Sequence, residues 1–251
     1  MRAFASTVAL IAALSAMPSS VADVPTQSYR VVHNYPHDPQ AYTQGLLFHN
    51  AKLYESTGRN GSSSLRRVDL TTGEVERIEA IPDKFFAEGL ALLGDKLMQL
   101  TWRSGSAFVF DLESFRLMGM LNYSGEGWGL TTDGQHLIMS NGSDVLLVRD
   151  SETFGVVRRI PVTLNGNPLR NLNELEWVDG EVWANVWSSD RIARIDYDTG
   201  VVTALIDLNG IYDYSENPEA VPNGIAWDAT GNRIFVTGKL WPELYEIEIV
   251  E

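Results

Sequence analysis

Five copies of one short motif constrain the fold of this chain more than any other feature. In each copy a variable residue is followed by a central residue, usually glycine, and then by an aliphatic residue. The copies are Gln44-Gly45-Leu46, Glu88-Gly89-Leu90, Trp128-Gly129-Leu130, Asn173-Glu174-Leu175 and Asn223-Gly224-Ile225. Their central positions are 44, 40, 45 and 50 residues apart, which is close to the length of one four-stranded propeller blade. The repeat predicts a recurring scaffold in which the side chain before the central residue differs from copy to copy.

The sequence between successive motifs is typical of short antiparallel strands. After the third motif, strand-like runs at His136–Ser140, Val145–Arg149 and Val156–Val162 are separated by turn residues such as Gly, Asp, Asn and Ser. The second and fourth repeats follow the same pattern. We therefore predict an all-β protein, a five-bladed β-propeller, with no helix longer than a turn or two.

The fifth repeat offers only three strands, at Ile225–Asp228, Arg233–Gly238 and Leu244–Val250. The β-rich segment Ser28–Asn34 lies outside the repeats. We predict that this N-terminal strand closes the last blade as its outermost strand and so hides the exposed edges of the ring. Two segments rich in Pro, Gly and Asn are predicted to be irregular loops, at Leu164–Leu172 and Asn209–Pro222.

The first 22 residues have the pattern of a signal peptide. Arg2 precedes a mostly apolar run, and Ser20-Val21-Ala22 has the small residues that a signal peptidase accepts. We expect cleavage after Ala22, a periplasmic or secreted location, and a single propeller domain over residues 23–251.

The composition excludes several classes of function. Acidic residues outnumber basic ones by 33 to 19, which argues against nucleic acid and anionic membranes as partners. The chain has no cysteine, so a thiol nucleophile is excluded. Its four histidines show no ligand spacing. We predict no metal and no cofactor, and a monomer.

The antiparallel order of strands in a blade predicts where a functional site lies. The first strand of each blade begins at the face where the second strand ends, so residues from both positions should surround one mouth of the central funnel. Catalytic and binding groups commonly lie at such loop ends on a rigid scaffold. Ten residues occupy these positions: Gln44, Glu88, Trp128, Asn173 and Asn223 at first strands, and Gly58, Trp102, Gly142, Trp187 and Lys239 at second strands.

Each of these side chains also has a purely structural interpretation. A tryptophan can fill the core between blades, and Asn173 or Asn223 can cap a turn. Glu88 can accept backbone hydrogen bonds, and Lys239 can be a solvated turn residue. The apolar setting of Lys239, between Gly238 and Leu240, disfavours the last of these because an unpaired buried lysine is costly.

Several longer strings of the sequence resemble one known family, the plant and bacterial type of glutaminyl cyclases, also called glutamine cyclotransferases. The resemblance covers nearly the whole predicted mature chain, with one or two motifs in each repeat. The strings are Tyr42-Thr-Gln-Gly-Leu46, Phe86-Ala-Glu-Gly-Leu90, Gln99-Leu-Thr-Trp102, Gly125-Glu-Gly-Trp-Gly-Leu130, Leu172-Asn-Glu-Leu-Glu-Trp177, Ala184-Asn-Val-Trp187 and Val236-Thr-Gly-Lys-Leu-Trp-Pro242.

The resemblance implies a five-bladed propeller enzyme that converts the N-terminal glutamine of peptides or proteins to pyroglutamate and releases ammonia. It implies that Glu88 is the general acid and base. The implied polar partners are Gln44, Asn173 and Lys239. The implied substrate-binding aromatic residues are Trp102, Trp128 and Trp187, with Phe86 nearby and Tyr42 where some members have Phe.

The chemistry of this reaction fits the residues at the predicted mouth. A neutral α-amine must attack its own γ-carboxamide, and one carboxylate can remove a proton and later return one to the leaving ammonia. Glu88 is the only acid in the variable position of the motif. Charge develops on the amide oxygen, so a donor must face it; Lys239, Gln44 and Asn173 all remain candidates.

Two other functions stay open from the sequence. One is a calcium-dependent lactonase or hydrolase built on a propeller, which would need several acids at the mouth. The other is a propeller that binds peptides with an N-terminal glutamine without releasing ammonia.

Overall fold

Three of the sheets consist of four antiparallel strands paired in chain order. A computed structural model describes residues 23–250, and this range contains strands, turns and loops but no helix. The first sheet is β2 (Thr43–His49), β3 (Lys52–Thr57), β4 (Ser64–Asp69) and β5 (Val75–Ala80). The second is β6 (Ala87–Leu93), β7 (Lys96–Thr101), β8 (Ser106–Asp111) and β9 (Leu117–Asn122). The third is β10 (Leu130–Thr132), β11 (His136–Met139), β12 (Val145–Asp150) and β13 (Val156–Pro161).

A larger sheet contains the remaining repeats and the N-terminal strand β1 (Thr26–Pro36). Its other strands are β16 (Leu172–Val178), β17 (Glu181–Val186), β18 (Arg191–Asp196), β19 (Val202–Asp207), β20 (Pro222–Asp228), β21 (Arg233–Gly238) and β22 (Glu243–Val250). The spatial order is β16-β17-β18-β19-β1-β22-β21-β20. The protein is therefore an all-β, propeller-like fold, with β1 lying between two sets of strands.

Strand β1 pairs as the sequence predicted. It runs antiparallel to β22 from Ser28, opposite Val250, to Pro36, opposite Glu243. At its start it also pairs in parallel with β19, where Thr26 lies opposite Leu205. The N-terminal strand thereby covers the outer edge of β22 and connects it to β19.

One predicted loop contains more structure than expected. At the start of the segment Leu164–Leu172, which was predicted to be irregular, β14 (Thr163–Leu164) and β15 (Asn167–Pro168) form a two-residue ladder. Asn165 and Gly166 turn between them with positive φ angles of 51° and 76°, a conformation that asparagine and glycine tolerate best. The other predicted loop, before β20, contains no strand over residues 209–221.

We call the first strand of each repeat, β2, β6, β10, β16 and β20, an innermost strand. Glycines of the repeated motif let neighbouring innermost strands touch. A Cβ atom on Gly45 would lie 2.5 Å from the backbone nitrogen of Leu90, and one on Gly89 would lie 2.4 Å from that of Leu130. A Cβ on Gly129 would lie 1.9 Å from the Asn173 carbonyl oxygen. These spaces are too small for any side chain, so the sequence repeats glycine there for close packing.

The fourth motif joins neighbouring innermost strands through a carboxyl group instead of a glycine. Glu174 stands where the other motifs have glycine, and its side chain is fully buried. Its two oxygens accept hydrogen bonds from the backbone N–H groups of Leu46, at 3.2 Å, and Ile225, at 2.9 Å. The Glu174 side chain therefore links the innermost strands β2, β16 and β20.

The hydrophobic core lies between the faces of adjacent sheets. One cluster combines Leu65 of the first sheet with Leu97 and Phe108 of the second. Another combines Leu146 of the third sheet with Val182 of the large one. Each sheet is thus buried against its neighbours while its ends stay open to loops.

The signal-peptide prediction concerns residues 1–22, which lie outside the described residues. Over residues 23–250, no helix is long and apolar enough to cross a membrane.

Candidate active site

The strand register is interrupted at four of the five motifs. Shifts occur between Thr43 and Gly45 and between Ala87 and Leu90, and equivalent shifts occur in β16 and β20. A β-bulge leaves a residue out of the ladder and redirects its side chain, and bulges are common beside active sites. The variable residues of the motifs lie within these shifts, which directs their side chains away from the regular sheet faces.

A cavity of about 410 Å³ opens at this end of the innermost strands. Its lining includes all nine residues that the sequence analysis proposed for catalysis or substrate binding: Tyr42, Gln44, Phe86, Glu88, Trp102, Trp128, Asn173, Trp187 and Lys239. Two further residues, Arg103 and Glu126, complete the lining.

Three residues expected around the mouth do not line the cavity. Asn223 is fully buried and lies behind Gln44; its side-chain nitrogen donates to the Thr43 carbonyl at 3.0 Å and to Gln44 Oε1 at 3.1 Å. The two glycines of the set make room for aromatic rings. A Cβ on Gly58 would lie 2.3 Å from the Phe86 ring, and one on Gly142 would lie 2.6 Å from the Trp128 ring.

The polar groups lie at the buried floor of the cavity. Glu88 and Lys239 are each 5% exposed, and Gln44 and Asn173 are comparably buried. Because Asn223 donates to Gln44 Oε1, the Gln44 side chain keeps its Nε2 group as a free donor end. The floor thus combines one carboxyl, one amine and two carboxamides.

Burial shifts the pKa values of the acid and the amine toward each other. Burial raises the pKa of the Glu88 carboxyl well above its ordinary value; the Lys239 ammonium opposes this shift and the Glu126 carboxylate adds to it. Burial lowers the pKa of Lys239, and the charge of Glu88 opposes that shift. A carboxyl with a raised pKa is suited to exchange protons with a substrate amine.

The backbone of Glu88 is held from two sides. Ser56 donates its hydroxyl to the Glu88 carbonyl, and Gln99 Nε2 donates in turn to Ser56 Oγ at 2.8 Å. The N–H of Gly89 donates to the Trp128 carbonyl at 2.6 Å. These bonds join three neighbouring sheets at the residue that carries the carboxyl, so the position of Glu88 is fixed by the fold.

Aromatic rings form the walls in two groups, which we call the first arc (Tyr42, Phe86 and Trp102) and the second arc (Trp128 and Trp187). In the first arc, the Phe86 ring centroid lies 6.2 Å from that of Tyr42 and 5.6 Å from that of Trp102. In the second arc, the two ring centroids are 5.7 Å apart at an interplanar angle of 85°. These are favourable edge-to-face arrangements. The three tryptophans line the cavity and do not act as core plugs between sheets; Trp187 is 42% exposed.

The similarity of this chain to known proteins is extensive. The family model described as glutamine cyclotransferase matches residues 4–249. The chain belongs to the glutamine cyclotransferase family. It is 45% identical over 225 residues to a glutaminyl-peptide cyclotransferase of Arabidopsis thaliana, a match that covers 87% of this chain and 70% of that protein.

Among solved structures, this cyclotransferase-family chain is similar to the glutaminyl cyclase of Myxococcus xanthus. The TM-score is 0.84 at 37% identity, and the match covers 91% of this chain and 98% of the other. The likeness therefore extends over nearly all of the cyclase structure.

Sequence reasoning missed Arg103 and Glu126, although both adjoin residues that it used. Arg103 follows Trp102, and its guanidinium lies 3.8 Å from the centroid of that ring. Glu126 stands two residues before Trp128 within the string Gly125–Leu130. Neither residue occupies a repeat position, so the equivalence of positions between repeats does not identify them. The signal for Glu126 in the sequence is an acidic residue between two glycines, Gly125 and Gly127.

We predict that Lys239→Met lowers kcat by roughly 10²- to 10³-fold, as expected for loss of a donor or charge at a developing oxyanion. The substitution also removes the positive charge that opposes the raised pKa of Glu88, so that pKa rises further. The base form of Glu88 is then lost at a higher pH, and the acidic limb of the kcat/KM profile should move upward in pH.

Lys239 lies over the Tyr42 ring at 4.8 Å. Lys84→Met is the matched control, because Lys84 lies over the Phe85 ring at the same distance but does not line the cavity. It should leave both the rate and the profile unchanged. A Lys239→Met protein with wild-type kcat and an unmoved acidic limb would show that this lysine has only a structural role.

Proposed function

We propose that this protein is a glutaminyl-peptide cyclotransferase, which converts N-terminal glutamine to pyroglutamate and ammonia. The observation that carries the proposal is the buried Glu88 carboxyl, whose pKa burial raises, at the floor of a cavity walled by three indoles. Membership of the glutamine cyclotransferase family and similarity to a glutaminyl-peptide cyclotransferase and a glutaminyl cyclase support the same reaction.

Glu88 serves as the acid and base of this mechanism. Its carboxylate takes a proton from the substrate α-amine as the amine nitrogen bonds to the γ-carboxamide carbon. The same group then returns a proton to the departing nitrogen, which leaves as ammonia. One residue suffices for both steps because the two nitrogens are attached to the same carbon in the tetrahedral intermediate.

Lys239 and the carboxamides stabilise the charge that develops on the amide oxygen. Lys239, Gln44 Nε2 and Asn173 reach the cavity from different innermost strands or strand ends. Donors that are already fixed by the fold need little reorganisation during the reaction. The free donor end of Gln44, fixed by Asn223, is particularly suited to this role.

The aromatic arcs favour the bent conformation of glutamine that cyclises. Flat, rigid walls restrict the side chain to geometries in which its amine and carboxamide meet, and they exclude water from the reacting atoms. Trp187 lines the cavity and is partly exposed, whereas Glu88 is buried, so only the first residue of a peptide needs to enter. We therefore propose that peptides and proteins with many different second residues are substrates.

We infer that the sheets are the five blades of one propeller domain. Each of the innermost strands β2, β6, β10, β16 and β20 packs beside at least two others of the set, and β20 packs beside β2. In this interpretation the eight-stranded sheet is two blades that β1 bridges. The pairing of β1 with β22 then completes the last blade, and its parallel contact with β19 joins that blade to the fourth.

We also propose that the protein is exported after removal of residues 1–22 and acts as a monomer in the periplasm or outside the cell. The N-terminal sequence pattern supports export. The monomeric state stays a prediction.

We predict that Glu88→Gln keeps the fold and lowers turnover of a dipeptide with N-terminal glutamine by roughly 10²- to 10⁴-fold. The amide has the shape of the carboxyl but cannot exchange the proton. The assay is ammonia release, run with and without a metal chelator. Glu79→Gln, an exposed position on β5, is the control and should retain full activity.

Three results would contradict the proposal in different ways. Near wild-type turnover by Glu88→Gln would remove Glu88 from the reaction. Binding of the dipeptide by the wild-type protein without ammonia release would favour a peptide-binding propeller. Loss of activity with chelator, together with hydrolysis of lactones, would favour the calcium-dependent hydrolase.

Export is tested by expressing the full chain in a bacterium with a general secretory pathway. The intact mass of the soluble product should correspond to a chain that begins at Asp23, and an Ala22→Arg variant should retain its leader because arginine does not fit the small-residue site. A wild-type product that keeps residues 1–22 would contradict the prediction.

A further inference from the structure

Glu126 connects the two aromatic arcs of the cavity. Its Oε2 accepts hydrogen bonds from both Trp102 Nε1, at 2.8 Å, and Trp128 Nε1, at 3.0 Å. Trp102 belongs to the first arc and Trp128 to the second, so one carboxylate oxygen fixes a ring in each. An indole has a single N–H donor, and both rings direct theirs to Glu126.

The second oxygen of Glu126 is held by an arginine. Arg103 Nε donates to Oε1 at 2.8 Å, and the Arg103 guanidinium lies against the Trp102 ring at 3.8 Å. Arg103 therefore holds Glu126 through a charge-assisted bond and contacts the Trp102 ring through a cation–π interaction. Burial disfavours ionised Glu126, but the hydrogen bonds from both indoles and Arg103 outweigh it and lower the pKa of Glu126, so the acceptor stays ionised.

The loop that carries Glu126 is itself fixed to the cavity wall. The N–H of Gly127 donates to the Trp102 carbonyl at 2.9 Å. A Cβ on Gly127 would lie 2.3 Å from Tyr123 Oη, and Gly125 has a positive φ of 87°. The glycines on either side of Glu126 therefore permit a path that brings its carboxylate between the two rings.

We propose that Glu126 is a positioning residue for cyclisation, which sets the spacing and orientation of Trp102 and Trp128 around the bent substrate. The proposal rests on the proposed function, because the walls matter only if the cavity holds a glutamine that must bend. Glu126 takes no proton in the reaction; its effect reaches the substrate through the two indoles. The arcs come from different sheets, and Glu126 is the side chain that hydrogen-bonds to a ring of each.

The decisive comparison is between Glu126→Ala and Glu126→Gln. Alanine removes the acceptor, so both rings lose their fixed orientation. Glutamine keeps one oxygen that can accept from both indoles while its NH₂ group faces Arg103, which breaks only the arginine contact. We expect Glu126→Ala to lower kcat on a dipeptide with N-terminal glutamine by roughly 10- to 100-fold, with KM changed less than about threefold. Glu126→Gln should restore most of the lost rate.

Indole N–H resonances in ¹⁵N-correlated NMR spectra give a readout that does not depend on turnover. The chain has seven tryptophans, and Glu126→Ala should shift the signals of Trp102 and Trp128 chiefly. Glu181→Ala is a matched control. Glu181 also contacts an arginine, Arg194 at 2.7 Å, and an indole, Trp183 Nε1 at 3.4 Å. It is the first residue of β17, and it does not line the cavity. The control substitution should shift the Trp183 signal and leave kcat unchanged.

The outcomes separate the positioning role from the proposed reaction. A wild-type protein that releases no ammonia overturns the reaction, whatever the spectra show. With an active wild type, three results overturn the positioning role: full kcat in a folded Glu126→Ala protein, unmoved Trp102 and Trp128 signals in that variant, or equal losses of kcat in the alanine and glutamine variants. Thermal melts of all variants establish that each is folded at the assay temperature.

Discussion

The close contact between innermost strands is the constraint on which the rest of this structure depends. In the first three motifs, backbone atoms at the next motif occupy the space of the missing side chain, as Gly45 against Leu90 and Gly89 against Leu130 illustrate. The ring of strands stays narrow as a result. Gln44 and Glu88, which precede two of the glycines, leave the regular register at bulges and line the opening at one end, where their side chains are brought together.

This narrow opening also determines the electrostatics of the site. Side chains at its floor lose contact with water, which disfavours the charged forms of both Glu88 and Lys239 and shifts their pKa values in opposite directions. Charges nearer the surface are ion-paired, as Arg103 with Glu126. The floor therefore keeps two groups whose pKa values are shifted toward each other, while the rim carries the ion pair that holds the aromatic walls.

Much of this arrangement could be predicted because the repeat gives each residue a position in three dimensions. Counting along second strands placed Trp102, Trp187 and Lys239 beside Glu88, and all four line the cavity. The motif position wrongly placed Asn223 at the cavity mouth. A motif position fixes the backbone, but it does not decide whether the side chain lines the cavity or, as here, supports Gln44 from behind. Counting could not find Glu126, since that residue lies in a loop whose path depends on contacts with Tyr123 and Trp102.

The most direct test of the account is the melting temperature of Gly89→Ala, with Gly119→Ala as its control. An added Cβ at position 89 lies 2.4 Å from the Leu130 nitrogen, whereas one at position 119 meets nothing within 4 Å. Overpacking of this kind costs about 3 kcal/mol, so Gly89→Ala should melt roughly 6–12 °C below the wild type. Gly119→Ala should melt with the wild type. Equal melting temperatures for the two variants would contradict the claim that close strand contact holds the fold and its site together.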